Sequence, residues 1–237
     1  VFAEEKILEE SISVRNLPGA GGGVAFAHVV AEREGDTKLI AAASTATTLR
    51  LAQGQFGSLR TRDVLWLGAV AADYAVIAVS TDAPWHTLSE LLEAWRKNPE
   101  TIVAAGGSAV GGQDHMKLLV LGEQADIDAK KIRYVPFDGG GEAVIALLGG
   151  FVSVVSGDVS ELMSHLRGGT VRVLAVLSSK RLQPPLAYIP TAKESGYDVE
   201  WITWRGFYLP QEIGPKAYSD WIARLELFVR SPSWQNL

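Results

Sequence analysis

The chain of 237 residues predicts an α/β fold assembled from βαβ units. Short runs rich in Val, Ile and Ala alternate with helix-like segments of roughly ten residues, which is the pattern of parallel strands joined by crossover helices. Several of these strand-like runs lead directly into glycine-rich turns. At about 150 residues per domain, the length allows one large domain or two small lobes.

The predicted elements follow one another in a regular order. Strands are predicted at 12–14, 38–43, 101–105, 132–135, 152–155 and 171–177. Helices are predicted at 24–33, 87–97, 116–121, 142–148, 159–166 and 221–229. Thr87 and Glu90 form a capping box at the start of one helix, and Asp158 is a favourable N-cap for another.

The composition excludes several classes of protein. Hydrophobic residues make up 47% and charged residues 21% of the chain, which argues against disorder, coiled coil and collagen-like repeats. The net charge of −5 has the wrong sign for a surface that grips nucleic acid phosphates. The absence of Cys removes disulfides, thiolate nucleophiles and Cys-ligated metals. No apolar run approaches the roughly 20 residues that cross a bilayer, and the first ten residues show no signal-peptide pattern.

Three glycine-rich turns point to ligand binding. They lie at 19–23, 106–112 and 139–141. In an open α/β sheet, ligands bind at the carboxyl ends of strands, where helix N-termini present unpaired N–H groups and a partial positive charge. Polar side chains at strand ends and beside the turns add to this signal: Ser44, Thr45, Ser108 and Asp138. The pattern therefore predicts a site for an anion.

Known nucleotide and nucleophile motifs do not fit these turns. The dinucleotide fingerprint needs a small residue where Val24 and Val144 stand, and the phosphate-binding loop needs a Lys where Gly112 stands. A nucleophile elbow at Ser108 lacks its second glycine, because Val110 occupies that position. ATP, GTP, dinucleotides and acyl transfer are accordingly disfavoured.

The four histidines offer no metal site, since they lie far apart and none forms a pair at ligand spacing. His115 has two interpretations, because it follows a glycine-rich turn at the start of a predicted helix. It is either a hydrogen-bonding residue of the helix start or a group that faces a ligand.

The chain resembles the solute receptors of tripartite tricarboxylate transporters, the TctC or Bug family. Residues 14–22, Val-Arg-Asn-Leu-Pro-Gly-Ala-Gly-Gly, are similar to the family's Asn-x-Pro-Gly-Ala-Gly-Gly signature. Residues 134–141, Tyr-Val-Pro-Phe-Asp-Gly-Gly-Gly, with Leu-Leu-Gly-Gly at 147–150, resemble a second family segment. Gly-Gly-Thr-Val-Arg-Val-Leu-Ala-Val at 168–176 resembles a third, and Ile-Pro-Thr at 189–191 continues the match.

The resemblance implies a two-lobed periplasmic binding protein of type II, the Venus-flytrap architecture. Strands near 74–80 and 201–208 would cross between the lobes. Lobe 1 would comprise 1–79 and 206–237 and would be incomplete at both ends, and lobe 2 would comprise 80–205. Family members are periplasmic or lipid-anchored, so the resemblance implies an extracytoplasmic protein whose signal peptide lies outside this chain.

The function implied is a receptor that binds a small tricarboxylate or dicarboxylate, such as citrate, between the lobes. It would deliver this ligand to the membrane permease subunits as a monomer, with no cofactor, no metal and no nucleic acid partner. We expect the ligand to contact Ser44, Thr45, Ala46, Ser108, Val110, Gly111, Gly112, His115, Phe137, Asp138, Gly139, Gly140 and Asp158. Phe137-Asp138 departs from the family's Tyr-Lys and puts an anion beside the expected carboxylate.

Two alternatives remain open at this point. The first is a ligand sensor that hands its closed form to a signalling partner. The second is an α/β enzyme that acts on a small carboxylate, with His115 and either Asp138 or Asp158 as acid and base. Trp85, Trp201 and Trp204 lie near the expected crossings and serve either as reporters of closure or as core anchors.

Overall fold

The computed structural model describes residues 1–8 and 10–236, so Glu9 and Leu237 lie outside the described part of the chain. The strands are β1 (Ala41–Ser44), β2 (Leu65–Ser80), β3 (Val103–Gly106), β4 (Arg133–Pro136), β5 (Val154–Asp158), β6 (Val171–Val176) and β7 (Ile202–Leu209). The α-helices are α1 (Gly23–Glu32), α2 (Thr45–Ala52), α3 (Leu88–Lys97), α4 (Gln113–Gln124), α5 (Gly140–Leu148), α6 (Val159–Arg167), α7 (Gly214–Arg230) and α8 (Pro232–Gln235).

The chain forms two compact units. Unit 1 consists of Val1–Ala72 and Trp204–Leu237, and unit 2 consists of Asp73–Thr203. Strands β2 and β7 each contribute residues to both units. The predicted α/β fold is confirmed, while the lobe boundaries expected at 79/80 and 205/206 stay predictions.

Unit 2 is a mixed sheet with helices packed on both faces. The last residues of β2 pair antiparallel with β5 and β6, and β3 runs parallel to both β5 and β4. Because β3, β4 and β5 point the same way, their carboxyl ends lie at the same edge of the sheet. The helices α4, α5 and α6 all begin at that edge.

Helix α3 shows how the sequence pattern becomes packing in unit 2. Its residues Leu88, Leu91, Leu92 and Trp95 recur at the i, i+3, i+4, i+7 spacing of one helical face, and all four are buried against β2, β3 and α4. The predicted capping box is confirmed, because the Glu90 amide donates to Thr87 Oγ1 at 3.2 Å and the Thr87 amide donates to Glu90 Oε2 at 3.3 Å.

Unit 1 is built around an antiparallel pair, β1 with β7, and an aromatic core. The ring of Phe26 lies 5.8 Å from that of Phe56 and 5.4 Å from that of Tyr208. Burial raises the pKa of the Tyr208 phenol to about 12, because an ionised oxygen would lose its hydration there.

The strand predicted at 12–14 is wrong. The segment forms no strand, and Ile12 and Val14 are 47% and 88% exposed. A strand needs a neighbour that completes its backbone hydrogen bonds and covers alternate side chains, and no described strand pairs with this segment. The other predicted elements overlap observed ones with ends within three residues, except that α7 begins at Gly214, seven residues before the predicted start.

We expect Thr87→Ala to lower the free energy of unfolding of the protein by about 1 kcal/mol, because it removes the N-cap acceptor of α3. Chemical denaturation followed by circular dichroism measures this change. Ser179→Ala is the control, since this exposed side chain caps no helix. An equal loss in both variants would contradict the capping role.

Candidate functional site

Two glycine-rich turns meet at the carboxyl edge of the unit 2 sheet. Gly106 at the end of β3 is in register with Pro136 at the end of β4, so the segments that follow run side by side. A Cβ atom on Gly107 would lie 2.5 Å from the carbonyl carbon of Gly139 and would also collide with the Gly140 amide nitrogen. The two turns therefore pack backbone against backbone, which only glycine permits at position 107.

The helices that follow these turns have glycine at the N-cap position. Gly112 is the N-cap residue of α4 and Gly139 that of α5, and neither position has a side chain to accept a hydrogen bond. The φ of 135° at Gly139 is one that side-chain-bearing residues rarely adopt. First-turn amides at such helix starts, together with the helix dipole, form a suitable environment for an anion.

His115 is held at the turn as a neutral ring. Its Nδ1 accepts a hydrogen bond from the Gly111 amide at 3.0 Å, and its ring stacks on Tyr134 with centroids 4.7 Å apart. The Tyr134 hydroxyl donates in turn to the Ser108 carbonyl at 2.6 Å. Because Nδ1 is an acceptor, the ring proton lies on Nε2, and partial burial lowers the pKa of His115.

Beneath the turns lies a buried ion cluster. The ammonium of Lys117 is fully buried and donates to Asp114 Oδ1 at 2.8 Å, to Asp158 Oδ1 at 2.7 Å and to the Gly157 carbonyl at 3.3 Å. Asp158 is 1% exposed, and its Oδ1 also accepts from Thr203 Oγ1 at 3.0 Å. Asp158 thus lies below the surface of the turns.

Glu161 brings another carboxylate to the start of α5. Its Oε2 accepts from the Asp158 amide at 3.0 Å, and a Cβ on Gly140 would lie 2.5 Å from its Cδ. Glu161 as a residue is exposed, but partial desolvation of its carboxyl group raises the pKa of Glu161, and the charges of Asp114 and Asp158 raise it further. Sequence reasoning missed both Glu161 and Lys117.

Unit 1 carries its own helix start, at α2. Ser44 Oγ accepts from the Ala46 amide at 3.2 Å, and Thr47 Oγ1 accepts from the Ser44 amide at 3.4 Å. Thr45 Oγ1 accepts from the Trp204 amide at 3.0 Å. The first turn of α2 holds no acidic residue, whereas α4 has Asp114 and α5 has Glu142 in theirs.

The expected ligand contacts divide between the units. Three belong to unit 1, namely Ser44, Thr45 and Ala46. Ten belong to unit 2 and are brought to one edge of its sheet: Ser108, Val110, Gly111, Gly112, His115, Phe137, Asp138, Gly139, Gly140 and Asp158. Asp138 and Val110 are exposed, and all thirteen stay predictions as ligand contacts.

Among the described residues, no three His, Asp or Glu side chains are grouped as metal ligands. Within the same residues, no helix is both long and apolar enough to cross a membrane.

Comparison with known proteins identifies the family. Residues 3–235 match the model of TctC, the tripartite tricarboxylate transporter family receptor. This chain belongs to the TctC family. BugT of Bordetella pertussis is 27% identical over 215 residues, which cover 88% of this chain and 64% of BugT. A UPF0065 protein from the tcbD–tcbE intergenic region of Pseudomonas sp. (strain P51) is 27% identical over 207 residues, which cover 85% of this chain and 59% of that protein. The chain therefore spans about three fifths of the length of these relatives.

Solved structures share the fold of this TctC-family chain. The periplasmic binding protein BugD is 25% identical with a TM-score of 0.83, over 98% of this chain and 76% of BugD. MatC of Rhodopseudomonas palustris with bound malate is 21% identical with a TM-score of 0.85, over 98% of this chain and 78% of MatC. A protein of R. palustris with adipate is 22% identical with a TM-score of 0.84, over 94% of this chain and 74% of that protein.

We expect Gly107→Ala to destabilise the protein by roughly 1–3 kcal/mol, because the added methyl group would collide with the backbone of the neighbouring turn. Gly141→Ala is the matched control. A Cβ on Gly141 meets nothing within 4 Å, so this change in the first turn of α5 should be neutral or slightly stabilising. Denaturant titration of both variants tests the prediction, and a neutral Gly107→Ala would contradict the packing of the turns.

We expect His115 to make stability fall as the pH is lowered. The folded state holds the ring neutral, so its contribution is complete above the unfolded pKa of about 6.5 and is lost as the pH falls through the lower folded pKa. The difference in unfolding free energy between wild type and His115→Gln, measured from pH 8 to pH 5, isolates this contribution. A difference that stays constant with pH would contradict it.

Proposed function

We propose that this chain is the extracytoplasmic receptor of a tripartite tricarboxylate-type transporter and binds a small dicarboxylate or tricarboxylate. The match of residues 3–235 to the TctC family carries this proposal. The receptor delivers its ligand to the membrane permease subunits of the transporter. Its periplasmic location, free or lipid-anchored, is part of the proposal.

The ligand carboxylates are held by backbone amides and hydroxyl groups. In unit 2 the donors are first-turn amides of α4 and α5 other than that of Asp114, which donates to Ser108 Oγ, with the Nε2–H of His115 beside them. Unit 1 by itself offers further candidate donors at the start of α2, around Ser44 and Thr45. Each such interaction contributes about 0.3–1 kcal/mol when exposed and more when desolvated. A micromolar Kd corresponds to about −8 kcal/mol, so the affinity depends on desolvated contacts of this kind and on bridging water as well.

In this proposal Asp158 does not contact the ligand directly. Because its side chain is buried against Lys117 and Thr203, it supports the turns from below. The direct contacts in unit 2 therefore come from the segments around Ser108–Gly112 and Phe137–Gly140.

The proposed function makes and breaks no covalent bond. An enzyme would need His115 paired with a carboxylate as acid and base. The observed hydrogen-bond partner of the His115 ring is the Gly111 amide, and the ring packs on Tyr134. The chain belongs to a family of transporter receptors, which supports ligand binding as its function.

Malate and adipate are the first ligands to test, because proteins of the same fold hold them. We expect one class among citrate, malate, adipate and acidic amino acids to bind with a micromolar Kd in isothermal titration calorimetry, with no product after incubation. A folded, ligand-free sample that binds none of them would overturn the proposal.

Ser108→Ala should weaken that binding roughly three- to tenfold, because the Asp114 amide loses its acceptor at 3.0 Å and the turn loosens. Ser164→Ala, the same change at an exposed position in the second half of α6, should leave the Kd unchanged.

A further inference from the structure

Lys117 occupies a position where a charged residue is unexpected. It lies on the buried face of α4, at the i, i+3, i+4, i+7 spacing shared by Asp114, Leu118 and Leu121, and its side chain is 0% exposed. An ammonium ion is removed from water only when it is paired and hydrogen-bonded. All three of its N–H groups have acceptors, in two carboxylates and one backbone carbonyl.

The cluster has an excess of negative charge. Lys117 faces Asp114 on its own helix and Asp158 at the end of β5, while Glu161 on α6 lies close enough to be affected by all three. Burial alone would lower the pKa of Lys117, but the two aspartates outweigh this and raise it above its ordinary value. With three acceptors the lysine is held in its charged form, and the formal charge of Lys117, Asp114 and Asp158 together is −1.

The same ammonium is connected to both turns. On one side it binds Asp114, whose amide donates to Ser108 Oγ in the turn before α4. On the other side it binds Asp158, whose amide donates to Glu161, and the Glu161 carboxylate lies against Gly140 at the start of α5.

We propose that Lys117 is the positioning residue of the carboxylate site. It holds the starts of α4 and α5 in place and offsets the two buried aspartates that would otherwise repel an anionic ligand. This inference rests on the proposed function and adds the group that sets the charge of the site. It implies that removing the ammonium weakens the binding of a dianion more than the binding of a monoanion, because repulsion grows with ligand charge.

The test compares variants that differ in the charge of the cluster. Counted as formal charge, Lys117→Met changes the cluster to −2, Lys117→Met/Asp158→Asn restores −1, and Asp114→Asn/Lys117→Met/Asp158→Asn makes the cluster neutral. Lys97→Met is the control for overall charge, because Lys97 is an exposed residue of α3. Calorimetry gives the Kd for malate, a dianion, and for butyrate, a monoanion, or for adipate and hexanoate if adipate binds better.

We expect Lys117→Met to lower the affinity ratio of dianion to monoanion roughly tenfold. The double variant should recover the ratio to within about threefold, and the triple variant should equal or exceed wild type. If Lys117→Met does not fold, the double and triple variants test the proposal without it. Ratios equal to wild type in every variant, or a ratio that falls in the neutral triple variant, would overturn the proposal.

A ligand-free measurement separates this proposal from the proposed function. NMR titration of the His115 ring should show its pKa rising in Lys117→Met and returning in the double variant, since uncompensated carboxylates favour the imidazolium. The double variant should therefore give the wild-type pKa of His115, and the triple variant should give a lower pKa. If wild type binds no carboxylate, the proposed function fails while this titration still decides whether Lys117 sets the charge at the turn. An unchanged pKa in all variants would overturn the inference.

Discussion

The backbone contact between two glycine-rich turns is the constraint on which unit 2 depends. Parallel pairing of β3 with β4 delivers both turns to one edge of the sheet, and the absence of a side chain at Gly107 lets them touch. This contact sets where α4 and α5 begin and so where their first-turn amides lie. The candidate site is therefore a consequence of strand direction and one missing Cβ atom, and glycine is the N-cap residue of both helices.

Electrostatics at this edge is a balance of opposing charges. Helix starts favour an anion, but Asp114, Glu142 and Glu161 already bring carboxylates to them. The buried ammonium of Lys117 offsets part of this negative charge. The start of α2 in unit 1 is different, because its first turn has no acidic residue and Ser44 caps it. The helix starts of the two units therefore differ in their electrostatic environment.

Most strands and helices could be predicted from local pattern, because burial of one face imposes a period that the sequence displays. Helix α3 is the clearest example, with its leucines at helical spacing and its capping box. The strand at 12–14 was wrong because Ile12 and Val14 have strand-forming side chains but no neighbour to pair with. Helix α2 was missed because Thr47 stands where the usual capping box has Glu or Gln.

By itself, the sequence determined the α/β class, the order of elements, the glycine turns and the motifs of the TctC family. These follow from periodicity and from residue types that act within a few positions of one another. Only the tertiary structure decided that Asp158 is buried and that Lys117 joins it to Asp114. Lys117 and Asp158 are 41 positions apart and meet only because β5 packs on α4. The sole local sign was a lysine on the apolar stripe of α4, and a pattern of spacing cannot show which partners neutralise its charge.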